Sequence, residues 1–561
     1  MSIGRRHIFI LTLIALLVFF FRLGATDFWG ALVARNAQMA REMIQSGEWI
    51  VPHVNYHPDY EKPVLWIWIL ALFSFPFGVN EFSIRFPTAL AALASVYTVY
   101  ALGRRLRGTR CGFRASLIYM TCIKVMHMAR VPRIDMSLTL FIALAYYFFL
   151  RGYQEEQRRR SSYLWTFFFM ALAFLDKGPV GVGLPAGGMF IFLILNRDLW
   201  HLKKLITLGN ILLFLVVAAP WYVAVSVKTG GEFPRHFFLY RNVTVFALYP
   251  EAQPLWFYFP QLLVGFLPWS LFLPFAVVDA FGREQRRSSL LPLAWFLWVF
   301  LFLTLIMYKR SDYLLPLYPA AAILTATFWD SIEDNSTRWM GRAVKVMVSV
   351  LLVTVICALV VVGLLSIPGF VNRVASSAMV RSYSNETDRD MISLYAGVLR
   401  RHAVLLIPIF LAASVFLFRQ LRYFRARLRR MTPLLVGIAL VMVFLNTYFL
   451  YAILPEVNRT ISLRPYSEFL MNVIKPRDRF ALYDFWYYEF GYYMMRHVTE
   501  LETPGQLRNY FEAPGVAYCL VKRKNLDEAE NVLGGVSYMV EPGLADPRGK
   551  FVMLVKQKER S

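Results

Sequence analysis

The chain is a succession of apolar blocks, each roughly 16–24 residues long, with short polar stretches between them. Blocks of this length match the hydrocarbon core of a bilayer, which a helix of about 20 residues can cross. Only 17% of the 561 residues are charged, whereas soluble domains carry about a quarter. The pattern therefore predicts an α-helical polytopic membrane protein. It excludes a soluble enzyme, a disordered chain and a secreted disulfide scaffold.

Thirteen blocks are each predicted to cross the membrane once. They are residues 8–21, 85–103, 113–128, 136–151, 163–176, 179–196, 205–225, 257–281, 290–307, 313–328, 343–366, 403–418 and 433–453. A further apolar stretch, 64–79, is interrupted by Pro76 and Gly78, and we expect the segment 63–103 to cross only once. The first block follows Arg5-Arg6-His7 without a small-residue cleavage site, which predicts an uncleaved helix.

The net charge of +24 is concentrated in short loops. These loops are 104–114, 151–162, 197–204, 282–289 and 419–432. Because basic loops face the cytoplasm, thirteen crossings place the N-terminus inside and the C-terminus outside. Orientation of the helices accounts for the charge, so we predict membrane lipids and not nucleic acid as partners.

Two outer segments differ from the apolar blocks. The loop 22–62 contains an amphipathic helical pattern at Ala34–Ser46. The tail 456–561 alternates strand-like runs with polar helical runs, which predicts a small α/β domain. The strands are expected at 480–486, 516–521 and 551–555, and the helices at 467–474, 504–511 and 526–532. The sequence thus predicts a membrane domain, 1–455, followed by an outer domain, 456–561.

Four charged clusters border the apolar blocks on the predicted outer face, where charge is costly and indicates function. They are Tyr60-Glu61-Lys62-Pro63, Arg130 to Asp135, Asp176-Lys177-Gly178 and Tyr308 to Tyr313. Each has an ordinary alternative: a snorkelling lysine, a helix N-cap or a hairpin turn. Together they gather cations on one side of the bilayer, for which a lipid phosphate is the natural counter-ion. The sequence has no Walker, HExxH, GxSxG or dinucleotide motif, so the predicted substrate is lipid-linked.

Several short sequence motifs of this chain resemble those of one family. Ala34-Arg35 and Ser46-Gly47-Glu48-Trp49, followed by Tyr60-Glu61-Lys62-Pro63, are similar to the bacterial protein O-mannosyltransferase-like (GT-C) superfamily, above all the lipid A aminoarabinose transferases. The supporting strings are Arg85-Phe86-Pro87, Arg133-Ile134-Asp135-Met136, Lys177-Gly178-Pro179 and Tyr313-Leu314-Leu315-Pro316. The resemblance runs in order through roughly residues 20–330.

The resemblance implies an inverting glycosyltransferase of the bacterial inner membrane. It would move a sugar, such as 4-amino-4-deoxy-L-arabinose, from a polyprenyl-phosphate carrier to a periplasmic acceptor, such as lipid A phosphate or another glycan. The expected carrier-phosphate residues are Lys62, Arg133, Lys177, Lys309, Arg310 and Tyr313. Glu61 is a candidate ligand for a divalent metal ion, with Glu251 or His57 as second ligand, and no other cofactor is expected.

One family feature is absent. Its members carry an Asp-Glu pair immediately before the matched Ala34-Arg35, and here Leu32 and Val33 stand there. Asp135, Asp59 and Asp27 are the remaining candidate catalytic carboxylates. A phosphate acceptor is already anionic and needs less help from a base than a hydroxyl does.

The sequence leaves two other functions open. The first is a non-catalytic relative that only binds the carrier. The second is a lipid or glycan transporter, but a transporter predicts charges on both sides of the midplane, and these clusters lie on one face.

Overall fold

A computed structural model describes residues 3–244, 253–282, 286–334, 337–367, 369–370, 373, 386–423, 431–485, 487–534, 536–544, 546 and 549–556. The first half of the chain forms the helices Ile3–Ala15 (α1), Ala31–Ser46 (α2), Leu65–Ser74 (α3), Glu81–Arg107 (α4), Thr109–Thr121 (α5), Ile123–Met128 (α6), Ile134–Gln154 (α7), Arg159–Lys177 (α8), Pro179–Leu195 (α9), Leu202–Leu205 (α10) and Leu208–Lys228 (α11).

The second half continues with Glu232–Pro234 (α12), Tyr258–Gly265 (α13), Leu273–Ala280 (α14), Arg286–Leu305 (α15), Tyr318–Asp334 (α16), Arg338–Ser366 (α17), Glu386–Tyr423 (α18), Thr432–Tyr448 (α19), Leu454–Ile461 (α20), Arg464–Val473 (α21), Tyr488–Tyr493 (α22), Pro504–Glu512 (α23) and Leu526–Val532 (α24). A 3₁₀ turn, Ser311–Leu317, leads into α16. The predicted helical fold is confirmed.

Within the described residues, eight helical segments are long and apolar enough to cross a membrane. They involve α1, α4, α7, α11, α15, α17, α18 and α19. The protein is therefore a multi-pass membrane protein, whereas the count of thirteen crossings and the orientation of the termini stay predictions. The predicted block 257–281 forms two short helices, α13 and α14, because proline at 268 supplies no backbone N–H to continue a single helix.

The chain folds into two compact units. The first comprises residues 1–23, 60–66 and 85–457. In it α8 packs against α7 and α11, α9 packs against α15, and α5 packs against α16. Glycines allow some of these helices to approach closely, as small residues commonly do in membrane proteins. Thus a Cβ on Gly181 of α9 would lie only 2.1 Å from the carbonyl oxygen of Ala173 in α8.

The second unit comprises residues 24–59, 67–84 and 458–561, so the compact unit around the C-terminal tail also includes most of the first outer loop. Its sheet contains Arg479–Tyr483 (β3), Thr499–Leu501 (β4), Ala517–Lys522 (β5), Met539–Val540 (β6) and Phe551–Lys556 (β7), after a short hairpin of His53–Val54 (β1) and His57–Pro58 (β2).

The strand order of this sheet is β4-β3-β5-β7-β6, with β3 parallel to β4 and β5, and β7 antiparallel to β5 and β6. The predicted strands and helices of the tail are confirmed, except that Trp486 lies outside the described residues. The predicted amphipathic helix is α2, which packs on α22 through Arg41, whose guanidinium donates to the carbonyl oxygens of Tyr492 and Gly491.

Gly112 provides a test of the close helix packing. A Cβ at this position would lie 2.5 Å from the carbonyl oxygen of Tyr100 and 3.0 Å from the backbone nitrogen of Arg104, neither of which can move alone. We therefore expect Gly112→Ala to destabilise the protein by about 1–3 kcal/mol, measured by thermal unfolding in detergent. The matched control is Gly183→Ala, a helical glycine with open space around it, and equal melting temperatures of the two variants would contradict the packing argument.

Candidate active site

The centre of the first unit's charged region is an ion pair between Asp135 and Lys177. Asp135 lies in the first turn of α7, where the helix dipole favours an acid, and Lys177 ends α8, where it favours a cation. The chain turns from α8 into α9 at Gly178, whose φ of 69° suits glycine. These two helix ends bring the Lys177 Nζ within 2.6 Å of the Asp135 Oδ1, and the aspartate is 1% exposed.

A second carboxylate, Asp312, extends this pair into a network. Its Oδ1 accepts from Lys124 Nζ at 2.6 Å, its Oδ2 accepts from Arg133, and Arg310 approaches to 3.7 Å. Arg133 also lies 3.7 Å from Asp135, so it links the two carboxylates. Burial alone would raise the pKa of Asp312, but Arg133 and Lys124 outweigh it and hold the pKa at about 2.

A cavity opens beside this network. It is lined by the cationic side chains of Lys62, Lys177 and Arg241, by the ring of Tyr313, and by Glu61. Its other walls are apolar and come from Pro63, Leu138, Val180, Leu184, Phe237 and Leu303. Lys177 Nζ lies 4.1 Å above the Tyr313 ring, a cation–π contact that orients the ammonium group. The cavity thus combines a cationic end with an apolar wall.

The described residues around the cavity carry more positive than negative charge. The charged residues of its described lining are the cations Lys62, Lys177 and Arg241 and one carboxylate, Glu61. The excess of two cations, close to an apolar wall, favours an anionic group attached to a hydrophobic chain.

Not all predicted site residues meet at the cavity. Lys309 is buried, donates to the carbonyl oxygen of Gln253 at 3.0 Å, and does not line the cavity. Its pKa is lowered by burial. Arg130, a cation of the second cluster, donates to the carbonyl oxygens of Phe19 and Arg22 and so caps the end of the first helical segment.

Asp59 and Asp27 both lie in the second unit. Asp59 forms a buried ion pair with Arg35 at 2.6 Å. Asp27 accepts from the amide of Asn458 at 3.0 Å and lies 3.3 Å from Arg464. Both carboxylates therefore already have structural partners within that unit.

The geometry does not favour a metal ion at Glu61. This carboxylate lies 3.7 Å from the guanidinium of Arg241, a cation that would oppose a bound metal. Among the described residues no group of three or more His, Cys, Asp or Glu side chains is placed to hold a metal ion. Glu251, one of the two predicted second ligands, lies outside the described residues.

Comparisons with known proteins agree with this architecture. Residues 61–223 match the family described as dolichyl-phosphate-mannose-protein mannosyltransferase. The crystal structure of ArnT from Cupriavidus metallidurans bound to undecaprenyl phosphate is similar at a TM-score of 0.78, with 20% identity and 97% of each chain covered. The chain has the GT-C fold.

Sequence relatives point to the same group. An undecaprenyl phosphate-alpha-4-amino-4-deoxy-L-arabinose arabinosyl transferase of Proteus mirabilis is 29% identical over 59% of this chain and 60% of that protein. An uncharacterized protein of Aquifex aeolicus is 32% identical over 58% of this chain and 64% of that protein. The matches therefore span about three fifths of these relatives. The resemblance to GT-C glycosyltransferases close to the aminoarabinose transferases is confirmed.

Some residues of the network were not predicted as site residues. The sequence pattern does not indicate Lys124 or Arg241 as site residues, and it contains Asp176 and Asp312 only as parts of charged clusters. Asp176 is fully buried and accepts from the hydroxyl of Ser137 at 2.7 Å. A signal existed for Lys124, since it is a charge within the apolar block 113–128, and such charges require a partner.

Asp312→Asn tests the network through stability. The depressed pKa means that the carboxylate stabilises the folded state above its usual pKa of 3.8, and that this contribution is lost as the pH falls towards 2. We expect the variant to lose about 2 kcal/mol at pH 7, with the difference from wild type narrowing at acid pH. Thermal unfolding at pH 7, 5 and 3 measures both effects.

The matched control is Asp334→Asn. Asp334 also pairs with arginines, but its side chain is 43% exposed, so its replacement is expected to cost less than about 1 kcal/mol. An unchanged melting temperature for Asp312→Asn, or a gap that stays constant down to pH 3, would contradict the proposed network.

Proposed function

We propose that this protein is a glycosyltransferase of the bacterial inner membrane that takes a sugar from a polyprenyl-phosphate carrier. The observation that carries the proposal is the cavity in which Lys62, Lys177 and Arg241 face an apolar wall. A polyprenyl phosphate has the matching chemistry, an anionic phosphate on a hydrocarbon chain. The similarity to named undecaprenyl-phosphate sugar transferases supports the same donor class.

In the proposed reaction, an acceptor oxygen attacks the anomeric carbon while the bond from that carbon to the carrier phosphate breaks. The attack comes from the face opposite the leaving phosphate, so the configuration at the sugar is inverted. Negative charge then accumulates on the released carrier phosphate. Lys62, Lys177 and Arg241 stabilise this charge from fixed positions, which is the electrostatic contribution that usually dominates catalysis.

The carboxylates beside the cavity are proposed to hold Lys177 and the neighbouring cations in place. Asp135 accepts from Lys177 and is almost fully buried, so we assign it the positioning of the Lys177 ammonium group. Asp312 holds Arg133 and Lys124 in the same way. Because Asp135 is paired to Lys177, we do not assign it the role of general base. An acceptor that is already anionic does not need a general base.

The acceptor is accordingly proposed to carry a phosphate, as lipid A does. The positions of the family's Asp-Glu pair are occupied by Leu32 and Val33, at the start of α2. A general base contributes about 10²–10⁴ in rate to attack by a neutral hydroxyl. The absence of this base therefore disfavours a sugar or protein hydroxyl as acceptor far more than it disfavours a phosphate oxygen.

The alternative function is carrier binding without transfer. It is favoured by the same replacement, Leu32 and Val33, because a protein that only binds the carrier would need the cations but no acid pair. Both functions share the phosphate site, so they are distinguished only by turnover.

The first test is a turnover assay on the purified protein in lipid nanodiscs. The donors are radiolabelled polyprenyl-phosphate sugars, and lipid A and a hydroxyl glycan are separate acceptors. We expect transfer to lipid A, reduced about 10²–10³-fold in Lys177→Met. Lys62→Met, which leaves the Asp135–Lys177 pair intact, should also reduce the rate strongly.

Lys345→Met is the matched control, because this exposed lysine of α17 lies in another part of the same unit. Transfer that is unaffected by both cavity variants would contradict the assigned site. No transfer from any donor, together with undecaprenyl phosphate binding that depends on Lys62, would favour the binding function over the enzyme.

A second test restores the missing pair with Leu32→Asp and Val33→Glu together. In an enzyme that relies on an anionic acceptor, the double variant should gain turnover with the hydroxyl glycan, and much less with lipid A. The control Leu32→Asn with Val33→Gln has similar size and polarity but no base. An equal gain for both double variants would contradict a role for the restored carboxylate.

A further inference from the structure

A second cavity of about 690 Å³ lies between α1 and α4, beside the start of the basic loop 104–114. Arg5 of α1 and Arg104 of α4 are at one end of it. On α4, Tyr97, Tyr100 and Arg104 follow one another at helical spacing, so they line the same face of the helix. None of these residues belongs to the candidate active site.

The two arginines lack the partners that their neighbours have. Arg105 pairs with Glu155 at 2.7 Å and Arg107 pairs with Asp334 at 3.1 Å. In the part of the chain that the structure describes, neither Arg5 nor Arg104 forms an ion pair, and both are exposed. The cavity therefore has an uncompensated charge of two at one end, which favours an anionic ligand.

A buried hydroxyl in the same cavity also lacks a partner. Tyr100 is only 4% exposed, and among the described residues its Oη has no hydrogen-bond partner. Its neighbour differs, since the Tyr97 hydroxyl is hydrogen-bonded to Thr12 at 2.7 Å. Buried polar groups normally form hydrogen bonds. The Tyr100 hydroxyl, which is unpaired within the described residues, therefore indicates a hydrogen bond to an oxygen atom of a ligand.

Apart from Thr12 and Tyr97, whose hydroxyls are hydrogen-bonded to each other, the remaining lining is apolar. Ile8 and Phe9 follow Arg5 along α1 and give the cavity an apolar wall. A soluble phosphate would leave this apolar surface unused, whereas a phospholipid would fill both parts. Basic pockets between membrane helices on the cytoplasmic side commonly bind anionic headgroups.

We propose that this cavity binds an anionic phospholipid, with its headgroup phosphate between Arg5 and Arg104, an ester or phosphate oxygen on the Tyr100 hydroxyl, and an acyl chain along Phe9. The site is separate from the carrier-phosphate cavity and does not depend on the proposed transferase activity. It would attach α1 to α4 through a lipid that bridges their basic ends.

The experiment is native mass spectrometry of the full chain in detergent, titrated with phosphatidylglycerol and, in parallel, with phosphatidylcholine. We expect preferential binding of phosphatidylglycerol, weakened about tenfold or more in Arg5→Gln with Arg104→Gln. Tyr100→Phe, which removes only the hydroxyl, should weaken binding several-fold. Glycerol 3-phosphate, which is a headgroup without chains, should not compete.

Arg158→Gln with Arg160→Gln is the matched control, because it removes the same charge from exposed arginines of another basic loop, 151–162. Equal losses in the two double variants, or unchanged binding in Arg5→Gln with Arg104→Gln, would overturn the site. Full competition by glycerol 3-phosphate would overturn the lipid as occupant. Thermal unfolding of each variant checks that the fold is retained.

Discussion

Buried charges that must be paired determine how the first unit is built around its cavity. Lys124, Asp312, Arg133, Asp135 and Lys177 form a continuous chain of alternating sign. Removing one member of a buried pair leaves the other uncompensated, which commonly costs several kcal/mol. The chain of charges therefore fixes α6, α7, α8 and the 3₁₀ turn before α16 relative to one another. Of the three cations that line the cavity, this arrangement positions Lys177.

The same requirement explains how the carboxylates of the second unit are used. Asp59 compensates Arg35 where both are buried, and Asp27 lies beside Arg464 and Asn458. Glu489 accepts from the backbone N–H of Gly30, immediately before α2. These acids organise the unit around α2, and no Asp-Glu pair opens that helix. The absence of that pair is the basis of our proposal that the acceptor is already charged.

Several features could be read from residue patterns alone. Apolar blocks of bilayer length predict membrane helices, because a backbone in hydrocarbon must satisfy its own hydrogen bonds. The alternation of the tail predicts its strands, which pair as β3, β5 and β7. The charged strings around Lys62, Arg133, Lys177 and Arg310 also identify the region of the cavity. Each of these signals is local, so a sequence of one chain contains it.

The sequence by itself therefore determined a multi-pass helical protein, an α/β tail and a region where charges gather at helix ends. Only the tertiary structure decided which charges meet. In the folded chain Lys124 pairs with Asp312, and Arg241 lies beside Glu61. Lys309 donates to the backbone carbonyl of Gln253, and Asp135 pairs with Lys177. The physical reason is that an ion pair depends on distances of a few ångströms between segments remote in sequence, which no local pattern specifies.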